Sequence, residues 1–365
     1  MMKKKVVVGM SGGVDSSVAA YLLKEEGYEV IGVTMQIWQS EDPNQVAADN
    51  GCCGLSAIAD ARRVADAIGI PHYVMNFRED FQRQVIDYFV AEYRRGRTPN
   101  PCIACNRHVK WESLLVRSRQ LGADYIATGH YARIARLPSG RYTIYNSVTA
   151  KKDQTYALYN LTQDQLACTL MPVGDYTKDE IRRIAEKIHL RIAAKPDSQD
   201  ICFIPDHDYA KFVEEESDRR FKPGHFVDKT GKVLGTHQGI IRYTVGQRKG
   251  LGLALGHPVF VTAIRPETNE VVVGTGEEVF AESLIADDIN MMSVPAFDRE
   301  KTYVAKIRYA HEGAPCRVVP LTNGQIRVSF EIPQRAITPG QAVVIYDGPC
   351  IAGGGTILGA ETSTE

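Results

Sequence analysis

The chain has 365 residues, 44% of them apolar, which is enough for two or three domains and a substantial core. No apolar run approaches membrane-span length, and Met1-Met2-Lys3-Lys4-Lys5 leads straight into a strand pattern that leader cleavage would destroy, so a cytoplasmic protein with no membrane partner is expected. With 43 basic and 44 acidic residues a generally basic nucleic-acid coat is excluded, though a local basic face is not; the eight cysteines read as thiols, metal ligands or redox catalysts rather than a disulfide framework.

Val6-Val7-Val8-Gly9-Met10 reads as a buried parallel strand, and Ser17-Val18-Ala19-Ala20-Tyr21-Leu22-Leu23 as a helix with one apolar face. Between them lies Ser11-Gly12-Gly13-Val14-Asp15-Ser16. A strand, a glycine turn and a helix N-terminus in that order make an anion cradle, because unpaired amides and the positive dipole end point at one spot. There is no Walker lysine. The pattern resembles the pyrophosphate loop of ATP pyrophosphatases, which split ATP into AMP and pyrophosphate and adenylate a substrate oxygen.

A second strand is expected over residues 29–38 and a loop to about 55; Ile58, Ala61, Val64, Ala65 and Ile68 then recur at helical spacing until Gly69. His72 to Phe77 is a third strand, followed by a long helix through Phe81, Val85, Tyr88 and Phe89. This alternation predicts a doubly wound parallel α/β sheet with ligands at the carboxyl ends of its strands. Arg94, Arg95 and Arg97 are candidates for a phosphate-facing patch. The stretch from Arg97 to Arg107 contains Pro99 and Pro101 and is expected to be irregular.

A helix through Trp111, Leu114 and Leu115 leads to a strand ending at Ala127, which delivers Thr128-Gly129-His130-Tyr131, and Pro138-Ser139-Gly140 marks a hairpin. Thr162 with Gln165 and Thr177 with Glu180 each fit a capping box. After about residue 222 short β-rich runs alternate with turns, which reads as small β domains. The expected division is 1–207, 208–280 and 281–365.

Cys102 and Cys105 form C-x-x-C, and Cys105 is expected just before a helix, where the dipole favours thiolate. Cys202 lies in a second loop, after Lys195, Asp197 and Asp200. Loop thiols behind an adenylating loop suggest sulfur transfer: a persulfide attacks a carbon whose oxygen has become part of an AMP leaving group, and a second thiol clears the disulfide. Cys168, Cys316 and Cys350 read as small buried hydrophobes, and Cys52-Cys53 as loop filler rather than zinc ligands.

With Gly9–Ser16, Thr98-Pro99-Asn100-Pro101 through Arg107, Ala127–Tyr131, Lys152-Asp153-Gln154, Asp197-Ser198, Ile201–Ile204, Tyr243–Gly252 and Pro339-Gly340-Gln341, the chain resembles the tRNA-specific 2-thiouridylase (MnmA/TrmU) family over almost its whole length. The resemblance implies a PP-loop, HUP-like pyrophosphatase domain, a small central domain and a C-terminal β-barrel. It implies ATP, with Mg²⁺, bound along Gly9, Met10, Ser11, Gly12, Gly13, Val14, Asp15 and Ser16, with Met35 near adenine and Gly129 near the nucleotide. The substrate it implies is the wobble uridine of the tRNAs for Lys, Glu and Gln, with sulfur from a cysteine desulfurase or a relay protein.

Cys202 corresponds to the persulfide-carrying cysteine and Cys105 to its partner thiol. Asn100, Pro101 and Cys102 would meet the target base, and His130, Lys152, Asp153, Gln154, Arg308, Tyr309 and Gln341 would contact tRNA. Asp15 is expected to help hold metal or pyrophosphate. Many members have aspartate where this chain has Cys102; a thiol there leaves open an alternative in which Cys102, Cys105 and Cys202 hold a [4Fe–4S] cluster. Rival readings are another pyrophosphatase-loop enzyme, such as an argininosuccinate or lysidine synthetase, and a non-catalytic metal-stabilised RNA adaptor.

Overall fold

The computed structural model describes residues 3–37, 54–190, 192, 201–217 and 220–361. The loop expected after residue 38, Cys52-Cys53 and the Lys195–Asp200 stretch lie outside them. The chain divides into two compact units. One comprises Met1–Ile86, Pro101–His207 and Pro349–Ile351; the other comprises Asp87–Asn100, Asp208–Gly348 and Ala352–Glu365.

In the first unit β1 (Lys5–Gly9) is followed by α1 (Val14–Glu25), β2 (Glu29–Gln36), α2 (Leu55–Ile68) and β3 (His72–Asn76). Val6, Val7 and Val8 expose no surface, as expected of a central parallel strand covered on both faces. Gly69 closes α2 in the left-handed region at φ +67. Next comes α3, built from Arg78–Phe81, a π-helical Gln82–Ile86 and Asp87–Arg94, the last of these in the second unit. A second run without a break, α4, consists of Pro101–Ala104, a π-helical Cys105–Leu114 and Leu115–Gln120.

The unit continues with β4 (Tyr125–Ala127), the hairpin strands β5 (Ala132–Arg136) and β6 (Tyr142–Asn146), α5 (Gln163–Ala167), β7 (Thr169–Leu170) and α6 (Lys178–Lys187). Its sheet has the order β3-β2-β1-β4-β7, and every pairing is parallel. The switch point therefore falls between β1 and β4, and the chain leaving those two strands is Met10–Gly13 and Thr128–Tyr131. Val6, Val8, Val18, Ala19 and Leu23 share one core with Val64, Ala65, Ile181 and Ala185, so α1, α2 and α6 are held to the same sheet. Each of the valine, leucine and isoleucine side chains among them contributes roughly 1.5–3 kcal/mol by burial.

The expectation of an irregular stretch from Arg97 to Arg107 is corrected: helix begins at Pro101. Proline lacks only an amide that no first-turn residue would use, and its fixed φ suits the first helical position. Cys105 is thus one turn inside a helix, and Cys102 is its second residue.

The second unit pairs residues 87–94 with α7 (Tyr209–Glu216) through Phe89–Phe212, with ring centroids 6.4 Å apart, and stacked Tyr93–Tyr209 at 5.1 Å. Then β8 (Gly224–Val227), β9 (Val233–His237), β10 (Phe260–Arg265) and β11 (Glu270–Gly274) form a four-stranded sheet of order β10-β11-β8-β9. Finally β12 (Phe280–Met291), β13 (Tyr303–Lys306), β14 (Ala314–Pro320), β15 (Ile326–Arg335), β16 (Ala342–Asp347) and β17 (Cys350–Glu361) run in the order β12-β15-β14-β13-β16-β17. The β12–β17 pairing closes a barrel that has no free edge, filled by Leu284, Tyr303, Val318, Val328, Val343, Ile345 and Ile357.

Candidate nucleotide and thiol site

The turn after β1 is bent by Gly12 at φ +68, where a side chain would also run into the Ala57 backbone. Gly13, extended at φ −95 and ψ 165, stands at the cap position of α1 with no side-chain cap, which leaves the first-turn amides facing outward. The loop is tied internally instead. Ser16 Oγ accepts from the Ser11 amide at 3.2 Å and lies 3.3 Å from Ser11 Oγ, while Ser17 Oγ donates to Gly13 O at 2.7 Å. From the other side of the switch point Gly129 closes on the loop: a Cβ there would stand 2.5 Å from the Ser16 amide nitrogen. Only glycine permits this approach. Met35 is half-buried near the carboxyl end of β2.

Asp15 is already engaged. Lys178 Nζ lies 2.8 Å from both of its carboxylate oxygens, and Tyr131 Oη donates to Oδ1 at 2.7 Å. Lys178 is only 9% exposed and opens α6, a place where the helix dipole disfavours a cation. That misplacement was the one sequence signal for it, and the capping box around Thr177 and Glu180 obscured it.

His130 is half-buried beside the loop, with Nδ1 2.7 Å from Thr128 Oγ1 and its ring 5.6 Å from that of Trp111. Burial, with Lys110 adding repulsion, holds its pKa well below the ordinary 6.5, so the imidazole is neutral. Trp111 and Lys110 belong to the π-helical part of α4, the run that carries Cys105. π-Helical turns recur at functional sites. Asn106 anchors the same turn by donating to Ala157 O at 2.8 Å and accepting from Lys110 at 2.9 Å.

Cys102 is exposed, and Cys105 and Cys202 are half-buried; the six cysteines among the described residues are thiols. Residues 78–86 connect the cysteine segments, packing against 101–104 and 105–114 while Phe81 receives Phe203 edge-on at 5.6 Å. Cys202 thus sits one residue from an anchor on the helix that also supports Cys102 and Cys105. No group of three or more His, Cys, Asp or Glu side chains among the described residues is arranged to hold a metal ion. The three cysteines are therefore not gathered there as a ligand set.

Other candidates have internal partners. Asp153 accepts from the Ser147 and Thr155 amides at 2.8 and 3.2 Å, and Gln154 Oε1 accepts from the Tyr131 amide at 2.9 Å. Lys152 and Asn100 are half-buried and Pro101 is buried. In the second unit Arg308 donates to Arg335 O at 3.1 Å, Tyr309 is 51% exposed, and Gln341 Nε2 donates to Thr98 O at 2.8 Å. Of the arginines read as phosphate-facing, Arg95 and Arg97 flank buried Glu92 at 3.0 and 2.8 Å. Cys316 is buried and its thiol is pushed up to about 12, and Cys350 is also buried, whereas Cys168 is half-buried and donates to Asp164 O at 3.1 Å.

A parallel sheet with a glycine-bent amide cradle at its switch point, followed by two β modules, defines a HUP-class α/β protein. A family model described as a tRNA methyl transferase HUP domain matches residues 4–206. Models described as a tRNA methyl transferase PRC-barrel domain and an aminomethyltransferase β-barrel domain match 210–275 and 281–357. The tRNA-specific 2-thiouridylase MnmA of Lachnoclostridium phytofermentans is 65% identical over 355 residues, covering 97% of this chain and 99% of that protein. Those of Clostridium perfringens and Acetivibrio thermocellus are 57% and 56% identical, each covering 98% of this chain and 99% or more of the relative. The chain belongs to the tRNA-specific 2-thiouridylase family.

Proposed function

We propose that the chain is an ATP-dependent enzyme that replaces the C2 oxygen of the wobble uridine in the tRNAs for Lys, Glu and Gln with sulfur. Supporting this reading is one observation above the rest: a single compact unit carries a glycine-bent amide cradle and three thiols on segments that contact residues 78–86 directly or through the next residue. Methyl transfer, named in two family-model descriptions, would use neither.

In the proposed reaction the amides of Gly12–Ser16 hold the pyrophosphate of ATP and Met35 lies by adenine. The uridine leaves its stack to enter the site. Its C2 oxygen attacks the α-phosphorus, pyrophosphate departs, and the C2–O bond becomes a bond to an AMP leaving group. The terminal sulfur of a Cys202 persulfide attacks C2, and AMP leaves with the oxygen. Cys105 thiolate then attacks Cys202 Sγ, which frees the thiocarbonyl and leaves a Cys105–Cys202 disulfide. An external dithiol reduces that disulfide, and a cysteine desulfurase, directly or through a relay, reloads Cys202.

Neutral His130 beside Gly129 is suited to hydrogen-bond base or nucleotide, and Cys102, at a helix start, to meet the uridine. Asn100 and Pro101 would meet it too, and Lys152, Arg308 and Tyr309 would contact tRNA. Asp15 already has a cation, Lys178, so no step is routed through Mg²⁺ on that carboxylate; nor is any routed through a cluster. The three-domain division 1–207, 208–280 and 281–365 and a cytoplasmic location are parts of the same proposal; no described helix is long and apolar enough to cross a membrane. The test is pyrophosphate release with and without unmodified tRNA, beside thiolation by a Cys202→Ser variant. tRNA-stimulated release and no thiolation by the variant are expected; thiolation at the parental rate would refute the reading.

A further inference from the structure

Thr34 interrupts the apolar run Val30–Val33 of β2 and exposes no surface. A hydroxyl buried in such a strand is costly unless it is hydrogen-bonded. Thr34 Oγ1 donates to Met10 O at 2.8 Å, and His72 Nε2 lies 2.9 Å from the same hydroxyl oxygen. The Met10 carbonyl can only accept, so the single hydroxyl proton goes to it and His72 must donate through Nε2. Burial, with repulsion from Arg62, lowers the pKa of this histidine below the ordinary 6.5, so at neutral pH the ring keeps that one proton. Gly32, in register with His72, makes room for the ring: a Cβ there would stand 3.3 Å from His72 Cδ2 and 2.6 Å from Met10 Sδ.

The carbonyl at the end of this relay belongs to the first peptide of the cradle. The Met10 oxygen and the Ser11 amide share one rigid plane. Thr34 holds the oxygen end of that plane, and Ser16 Oγ in α1 accepts from the amide end at 3.2 Å. The peptide before it is tied as well, since the Met10 amide donates to Val33 O at 2.8 Å. The chain therefore leaves β1 with two successive peptides fixed to β2, all within one compact unit.

We propose that Thr34 is a positioning residue for nucleotide: its hydroxyl, oriented by His72, sets the Met10–Ser11 peptide plane from which the phosphate-binding loop springs. This rests on the reading of that loop as the ATP cradle. Valine at this position keeps nearly the same shape but gives the Met10 carbonyl and His72 Nε2 no hydroxyl to pair with. Serine keeps the hydroxyl.

The test uses full-length protein carrying Thr34→Val or Thr34→Ser. Thr34→Val is expected to raise the Kd for ATP about fivefold, the worth of one buried hydrogen bond. Without nucleotide, amide exchange at Ser11 should speed up about tenfold. The KM for tRNA should not change, and Thr34→Ser should stay near parental in every measurement. Parental ATP affinity in Thr34→Val, an equal loss for ATP and tRNA, or a serine variant as weak as the valine one would each overturn the proposal. Should Thr34→Val fail to fold, the unaltered protein decides through the ¹⁵N NMR signals of His72 and the exchange of Ser11. Protonation at Nε2 alone with a protected Ser11 amide supports the relay; protonation at Nδ1, or an amide exchanging as fast as open loop, overturns it. Both are read without nucleotide, so an unaltered protein that binds no ATP would refute the proposed function and leave the relay standing.

Discussion

Lys178 Nζ stands 2.8 Å from both oxygens of Asp15, inside the first turn of the helix that forms the cradle. A carboxylate there would repel polyphosphate, and Lys178 supplies the compensating charge that the loop itself lacks. Among the described residues, removing it leaves Asp15 the Tyr131 hydroxyl. Lys178→Met is therefore expected to lower stability by about 1–3 kcal/mol, below the fully buried limit because Asp15 keeps some exposure. It should weaken ATP binding by about tenfold, or about 1.4 kcal/mol. Urea unfolding and nucleotide titration read the two effects, and Lys178→Arg should retain most of both.

Gly129→Ala is expected to abolish ATP binding while leaving the fold intact, because the new methyl group lands 2.5 Å from the Ser16 nitrogen and pushes β4 and the loop apart. Overpacking of this kind costs about 1–3 kcal/mol. Equilibrium dialysis with labelled ATP checks it; parental affinity would show that the approach is not needed.

Stability should fall on the acid side. His72, His130, His237 and His311 all have native pKa values below 6.5, with burial the first cause in each. Below the unfolded value the unfolded chain binds protons that the native state refuses, so unfolding free energy decreases as pH drops from about 6.5 toward the lowered native values, by up to about 1.4 kcal/mol per pH unit for each group. His130→Gln should flatten part of that slope in urea midpoints measured from pH 7.5 to 5. An unchanged slope would contradict the assignment of His130 as a neutral, desolvated group.

Alkylation of the native protein should be graded. Cys102 reacts first, being exposed at the start of a helix, whereas Cys316 stays inert because burial keeps its thiol protonated up to about 12. Mass spectrometry of peptides over a time course gives the order; early labelling of Cys316 would mean that the barrel core is open.

Much of this was legible in the residues. An apolar run, paired glycines and an apolar helix face specify β1, the cradle and α1 because all their bonds are local, and both capping boxes form as spaced, at Thr162 with Gln165 and Thr177 with Glu180. The helix start at Pro101 was missed because two prolines read as breakers, although Pro99 lies outside the helix and Pro101 needs no amide partner. Lys178 on Asp15 and Gln341 on Thr98 join residues 163 and 243 positions apart, and no periodicity records such pairs. For the same reason no pattern places buried Glu92 beside Arg95 and Arg97.

The most direct measurement is a single turnover with protein carrying ³⁵S-labelled persulfide on Cys202, mixed with unmodified tRNA and followed with and without ATP. Transfer of the label to tRNA only when ATP is present, with one AMP and one pyrophosphate per sulfur moved, is the expected result. Label that stays on the protein while tRNA is thiolated, or transfer without ATP cleavage, would contradict the proposal that the Ser11–Ser16 loop makes the oxygen leave so that Cys202 sulfur can take its place.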